Sequence, residues 1–126
     1  MRKGVKELVA EAEAEIETLA PEAARALLDD EDVQFVDLRD IREVKREGRI
    51  PGSFHCPRGM LEFWLDPESP YFHDAFTPGK RFVFYCNKGW RSALATQTAS
   101  RMGLAPVCHI AGGFTAWKQA DYPTED

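Results

Sequence analysis

The sequence predicts an α/β domain in which a parallel sheet is covered by helices on both faces. Three observations carry this expectation. The runs Val33-Gln34-Phe35-Val36-Asp37-Leu38, Arg81-Phe82-Val83-Phe84-Tyr85 and Val107-Cys108-His109-Ile110 have the length and hydrophobicity of buried strands. Segments with helical spacing or helix boundary signals lie between them, and that alternation is the pattern of a parallel sheet. With 126 residues, 44% of them hydrophobic and 29% charged, the chain is one ordinary globular domain whose core needs no staple.

The elements follow in order. Val5, Leu8, Val9, Ala12, Ile16 and Leu19 fall at helical spacing, with Glu7, Glu11, Glu13, Glu15 and Glu17 between them. This predicts an amphipathic helix within residues 1–17, ending near Ala14 to Glu17, ahead of a single domain over 18–126. Its apolar stripe serves either its own domain or a partner. Pro21 opens a short helix through Leu28, and Asp29-Asp30-Glu31-Asp32 turns the chain into the 33–38 strand. Asp40 to Glu47 is a charged helix stopped by Gly48, and Ile50-Pro51-Gly52 leads into a short strand around Ser53 to His55.

Residues 59–76 are aromatic-rich and longer than a plain connector, so they form either a lid over the site or a cap on the core. After the 81–85 strand, Ala95, Ala99 and Met102 mark a helix face that closes at Gly103. Gly112-Gly113 allows a tight turn into a last short helix carrying Trp117, expected in the core.

Several functions are disfavoured at once. A net charge of -5 argues against a nucleic-acid binder driven by phosphate contacts. No apolar run approaches the roughly 20 residues a membrane helix needs, and the N-terminus lacks the apolar core of a signal peptide. A cytoplasmic protein is expected. The three cysteines, 56, 86 and 108, are odd in number and form no C-x-x-C pair, which fits a reducing compartment better than a disulfide framework or zinc site. Cys108 reads as core; Cys56 reads as core or as a second sulfur-accepting thiol. His55, His73 and His109 are scattered, form no metal pattern and read as structural, and no cofactor is implied.

Cys86 is different because it sits where a strand ends and a helix begins. The unpaired amides and aligned dipoles of a helix start favour a thiolate over a thiol, and Lys88 and Arg91 add positive charge nearby. It is the candidate nucleophile.

Cys86-Asn87-Lys88-Gly89-Trp90-Arg91-Ser92 resembles the active-site loop of the rhodanese family, C-x-x-G-x-R-S. Asp37-Leu38-Arg39, Glu43 and Gly48-Arg49-Ile50-Pro51-Gly52-Ser53 resemble its first box, and Gly112-Gly113-Phe114 with Ala116-Trp117 and Tyr122-Pro123 its closing one. The resemblance spans roughly residues 18–123 in the expected order. It implies a three-layer fold around a mostly parallel five-stranded sheet. It also implies a sulfurtransferase that carries a sulfane sulfur as a persulfide on Cys86, from a small anionic donor such as thiosulfate to a thiol or cyanide-like acceptor. The amides of Asn87 through Ser92 would cradle the sulfur, Lys88 would attract the donor, and Arg91 would brace the loop. Arg58 would reach the donor's charged group; Arg39, paired with Glu43 or a neighbouring carboxylate, and Asp37 would support the turn beside the cleft.

Two other readings use the same residues. One is a persulfide carrier that hands sulfur to a partner protein docked around Lys88, Trp90 and the aromatic segment. A solvent-exposed Trp90 beside an open Cys86 favours it; a closed pocket walled by Phe63, Trp64 or Tyr71 favours a small donor. The other is a phosphatase or arsenate reductase, whose loops place five residues between cysteine and arginine. Here there are four, Asn87 to Trp90, a ring better suited to one added sulfur than to a tetrahedral oxyanion.

Overall fold

In the computed structural model, which describes residues 2–126, the chain runs α1 (Val5–Glu15), β1 (Glu17–Leu19), α2 (Pro21–Arg25), β2 (Val33–Asp37), α3 (Ile41–Glu47) and β3 (Phe54–His55). It continues through α4 (Leu61–Leu65), β4 (Arg81–Tyr85), α5 (Trp90–Arg101), β5 (Val107–Ile110) and α6 (Gly113–Gln119). The sheet has five strands in the order β1-β5-β4-β2-β3, and every neighbouring pair is parallel. Asp37 pairs with both Tyr85 and His55, so the carboxyl ends of β2, β3 and β4 finish side by side. That is where open α/β sheets place their ligands.

Side chains alternate across the sheet and build two apolar layers. Phe82 and Phe84 point to one face with Val36, where α4 and α5 supply Leu61, Leu65, Ala95 and Ala99. Val83 and Tyr85 point to the other with Phe35, Cys108 and Ile110, where α2 and α6 supply Ala24, Phe114 and Trp117. The predicted three-layer arrangement is therefore present, and Trp117 is a core residue, its indole N–H donating to the Pro123 carbonyl at 2.7 Å.

The structure departs from the sequence reading at two early elements and decides one choice the sequence left open. The N-terminal helix stops at Glu15, within the expected Ala14 to Glu17, but Leu19, placed on its apolar spacing, lies in the strand Glu17–Leu19. Pairing of Thr18 with His109 across 91 residues decides this, a long-range effect that overrides local spacing. Ile16 stays in the seam where Val9 and Ala12 meet Ala93 and Leu94. The helix begun by Pro21 ends at Arg25, and Leu27 and Leu28 continue in tighter turns that bond three residues back. The 59–76 segment holds α4 between the 3-10 turns Arg58–Met60 and Asp74–Phe76, and it caps the core. Leu61, Leu65 and Phe76 are buried there, with Trp64 and Phe72 packed against them. Among the described residues no helix is long and apolar enough to cross a membrane.

Candidate active site

Cys86 leaves the end of β4, and three residues later Gly89 bends the chain into α5 with φ of +105°. That left-handed backbone is open to glycine and costly for other residues. The bend aims two backbone N–H groups at the sulfur: Gly89 N lies 3.2 Å and Ser92 N 3.4 Å from Cys86 Sγ, with the Ser92 hydroxyl at 3.5 Å. Of the amides expected to form a cradle, Asn87 through Ser92, those of Gly89 and Ser92 reach the sulfur, and the Cys86 thiol donates to the Ser92 hydroxyl.

Cys86 lies at the base of an open pocket of about 490 Å³ lined by Cys86, Asn87, Lys88, Trp90 and Arg91. Trp90 is half exposed at its rim, at 48% of its surface. None of Phe63, Trp64 or Tyr71 lines it. Arg58 does not line it either; its guanidinium donates to Glu62 at 2.9 Å, so the donor-binding role expected for it meets a side chain engaged elsewhere.

Of the two partners open to Arg39, Glu43 or a neighbouring carboxylate, it takes the neighbouring Asp37. Glu43 pairs with Arg91, not Arg39, through two bonds of 2.7 and 3.0 Å. Glu43 is itself fixed by the α3 capping box, in which Asp40 accepts from the Arg42 amide and Glu43 accepts from the Asp40 amide. The Arg91 guanidinium holds the Glu43 carboxyl below its usual range, and the Glu43 carboxylate in turn raises Arg91. The brace predicted for Arg91 therefore runs from α5 to the start of α3.

Arg39 bonds to the Asp37 carboxylate at 2.9 and 2.7 Å and to the Gly48 carbonyl at 2.7 Å, with its guanidinium 4.3 Å from the Phe114 ring centroid. Both partners are buried. Asp37 also accepts from the Arg39 amide and from the Tyr85 hydroxyl, each at 3.0 Å. The Tyr85 oxygen accepts from Ile50 N and meets Ser53 Oγ, which ties the 48–53 turn to the strand ends. Burial, reinforced by Asp37, pushes the Tyr85 phenol above its ordinary range.

Gly112-Gly113 does more than turn the chain. Gly113 has φ of +56°, and the amides of Phe114 and Thr115 donate to the carbonyls of Cys86 at 2.8 Å and Asn87 at 3.0 Å. A Cβ at Gly113 would collide with the Cys86 carbonyl oxygen. Sequence reasoning missed this buttress and the Glu43–Arg91 pair, although Asp40-x-x-Glu43 was legible as a capping box. Burial pushes the Cys56 thiol up to about 12 and the Cys108 thiol up to about 11, and neither lines the pocket. Both read as packing residues, and the sulfur-accepting role entertained for Cys56 finds no access here.

Comparison with known proteins identifies the family of the chain. The chain is 33% identical over 98 residues to a mouse thiosulfate sulfurtransferase/rhodanese-like domain-containing protein 3, covering 74% of this chain and 62% of that protein. It is 30% identical over 103 residues to human thiosulfate:glutathione sulfurtransferase, covering 77% of this chain and 89% of the human one. For the mouse protein and a second relative, the chain spans 62% and 55% of the length. A solved structure from Rhodopseudomonas palustris, of unknown function and a possible tyrosine phosphatase, superposes with a TM-score of 0.96 at 54% identity over 99% of this chain and 96% of that one. The model of the rhodanese-like domain matches residues 20–120, a span that includes the cysteine loop, the Asp37–Arg39 pair and the Gly112-Gly113 buttress, and on that match the chain belongs to the rhodanese-like family.

Proposed function

We propose that this protein is a sulfurtransferase that carries a sulfane sulfur on Cys86. The observation that supports this most directly is the pair of amides, Gly89 and Ser92, converging on one sulfur atom at the base of an open pocket. Fixed donors of that kind stabilise a thiolate and, after transfer, the anionic sulfur attached to it. In the first half-reaction the Cys86 thiolate attacks the outer sulfur of a donor R–S–S⁻, or of thiosulfate. The old bond to that sulfur breaks, and the thiolate or sulfite leaves with the electron pair. In the second, an acceptor thiolate or cyanide attacks the outer sulfur of the persulfide and Cys86 departs as thiolate. No external oxidant or reductant is consumed.

Lys88 is exposed at the mouth and suits an anionic donor such as thiosulfate. The half-exposed Trp90 and the lack of an aromatic wall also support a second reading, handover of the persulfide to a partner protein. Both share the same chemistry at Cys86. Three free, buried cysteines fit a reducing compartment, the cytoplasm. The loop with four residues between cysteine and arginine argues against phosphoryl chemistry.

Intact mass before and after thiosulfate, then after cyanide, with Cys86→Ser in parallel, tests the proposal. One added sulfur, removed by cyanide and absent from the variant, is the expected result. Loading only from a persulfidated protein or glutathione persulfide would select the carrier reading. No loading from any donor, with turnover of an aryl phosphate, would replace both.

A further inference from the structure

His109, on β5, belongs to none of the motifs that mark the family, and the sequence reading assigned it a structural role. Its surroundings are specific. The ring is buried, with Nδ1 2.8 Å from Ser92 Oγ and Nε2 3.1 Å from Thr18 Oγ1. Ser92 Oγ in turn lies 3.5 Å from Cys86 Sγ. A continuous chain of polar atoms therefore runs from the cysteine through α5 and β5 to Thr18 on the exposed edge strand β1.

The chain has two consistent polarities. A neutral imidazole has one N–H and one bare nitrogen. With the hydrogen on Nδ1, the ring donates to Ser92 Oγ and accepts from Thr18, which leaves the Ser92 hydroxyl hydrogen for a Cys86 thiolate. With the hydrogen on Nε2, the ring donates to Thr18 and accepts from Ser92, whose oxygen is then free to accept from a Cys86 thiol. Burial pushes His109 down to about 4, so the ring is neutral at physiological pH and both arrangements are available to it. Without the ring, the Ser92 hydroxyl has a competing acceptor in the Gly89 carbonyl at 3.3 Å.

We propose that His109 is a positioning residue for sulfur transfer: anchored by Thr18, it aims the Ser92 hydroxyl at Cys86 as a third hydrogen-bond donor to the thiolate. The inference rests on Cys86 being the nucleophile. Thr18 lies ahead of the matched span of residues 20–120, so this outer anchor comes from the segment that precedes it.

The test is the rate at which iodoacetamide, a neutral reagent, alkylates Cys86, resolved by peptide mass from buried Cys56 and Cys108. Ser92→Ala and His109→Leu are each expected to slow alkylation of Cys86 at pH 7 by roughly two- to tenfold, the range of one net hydrogen bond. His109→Asn, whose side-chain amide places a polar atom where Nδ1 sat, is expected to recover most of the rate. Asparagine is the worse residue to bury and leucine the better, so a purely structural role predicts the opposite order. Cys86 alkylating in His109→Leu as fast as in the wild type, or in His109→Asn as slowly as in His109→Leu, overturns the proposal. If His109→Leu does not fold, Thr18→Val, altered at an exposed side chain, carries the test, and an unchanged rate overturns it. Because alkylation needs no sulfur donor, a protein that shows the expected order yet takes up no sulfur would sink the proposed function and leave this chain of hydrogen bonds standing.

Discussion

Replacing Gly113 by alanine isolates the contribution of the α6 start to the cysteine loop. The new methyl would meet the Cys86 carbonyl oxygen and lie 2.8 Å from the Asn87 carbonyl carbon and oxygen, all backbone atoms with no side-chain freedom to yield. Gly52 offers the control, with φ of +75° and nothing within 4 Å of its hypothetical Cβ. Both substitutions carry the left-handed cost of about 1–2 kcal/mol. Only Gly113→Ala must also displace the two amide bonds to Cys86 and Asn87, each contributing about 0.5–1.5 kcal/mol. The two variants should therefore differ by about 1–3 kcal/mol, or about 3–12 °C in Tm for a domain of this size. Calorimetry or circular dichroism melts read the difference, and single-turnover sulfur loading reads the loop. Loss of loading in Gly113→Ala with retention in Gly52→Ala is expected. Equal melting temperatures and equal loading would refute the buttress.

The remaining predictions concern charge. Asp37→Asn leaves the fully buried Arg39 without its counter-ion and should cost about 3–5 kcal/mol in chemical denaturation. Glu43→Gln frees the partly exposed Arg91 and removes a carboxylate beside the pocket; stability should fall by less than about 1 kcal/mol, while KM for thiosulfate should fall about twofold to fivefold. His109 titrates at about 4 folded against 6.5 as its ordinary value, so the unfolded chain binds its proton first. The stability from keeping this ring neutral is complete above pH 6.5 and is lost as pH falls towards 4, about 3 kcal/mol in all; denaturation midpoints should show that slope, and His109→Leu should flatten it.

The strands β2, β4 and β5 were legible because each is a short, largely apolar run, and the cysteine loop because its residue types and spacing are specific. What escaped the sequence was set by distant partners. Glu17-Thr18-Leu19 has no strand signal of its own and is extended because β5 is there to pair with it. Glu43 sits four residues from Arg39 and 48 from Arg91, and only the folded chain shows which guanidinium it meets. The aromatic content of residues 59–76 was visible, but whether it faced the site or the core depended on Phe54, Phe76 and Phe82 converging at centroid distances of 5.7 to 5.8 Å. Arg58 looked free in the sequence because its partner, Glu62, lies one helical turn on in a segment not read as helix.

The sheet ends in two very short borders, three residues of β1 on one side and two of β3 on the other. A sheet border is a row of unpaired amides and carbonyls onto which another chain can add, the first step of edge-to-edge aggregation. Here the long, hydrophobic strands β4, β2 and β5 all lie inside, and the borders offer too few residues for a stable added strand. Short borders of this kind disfavour self-association of the native protein through its sheet, without any charged or proline gatekeeper being required.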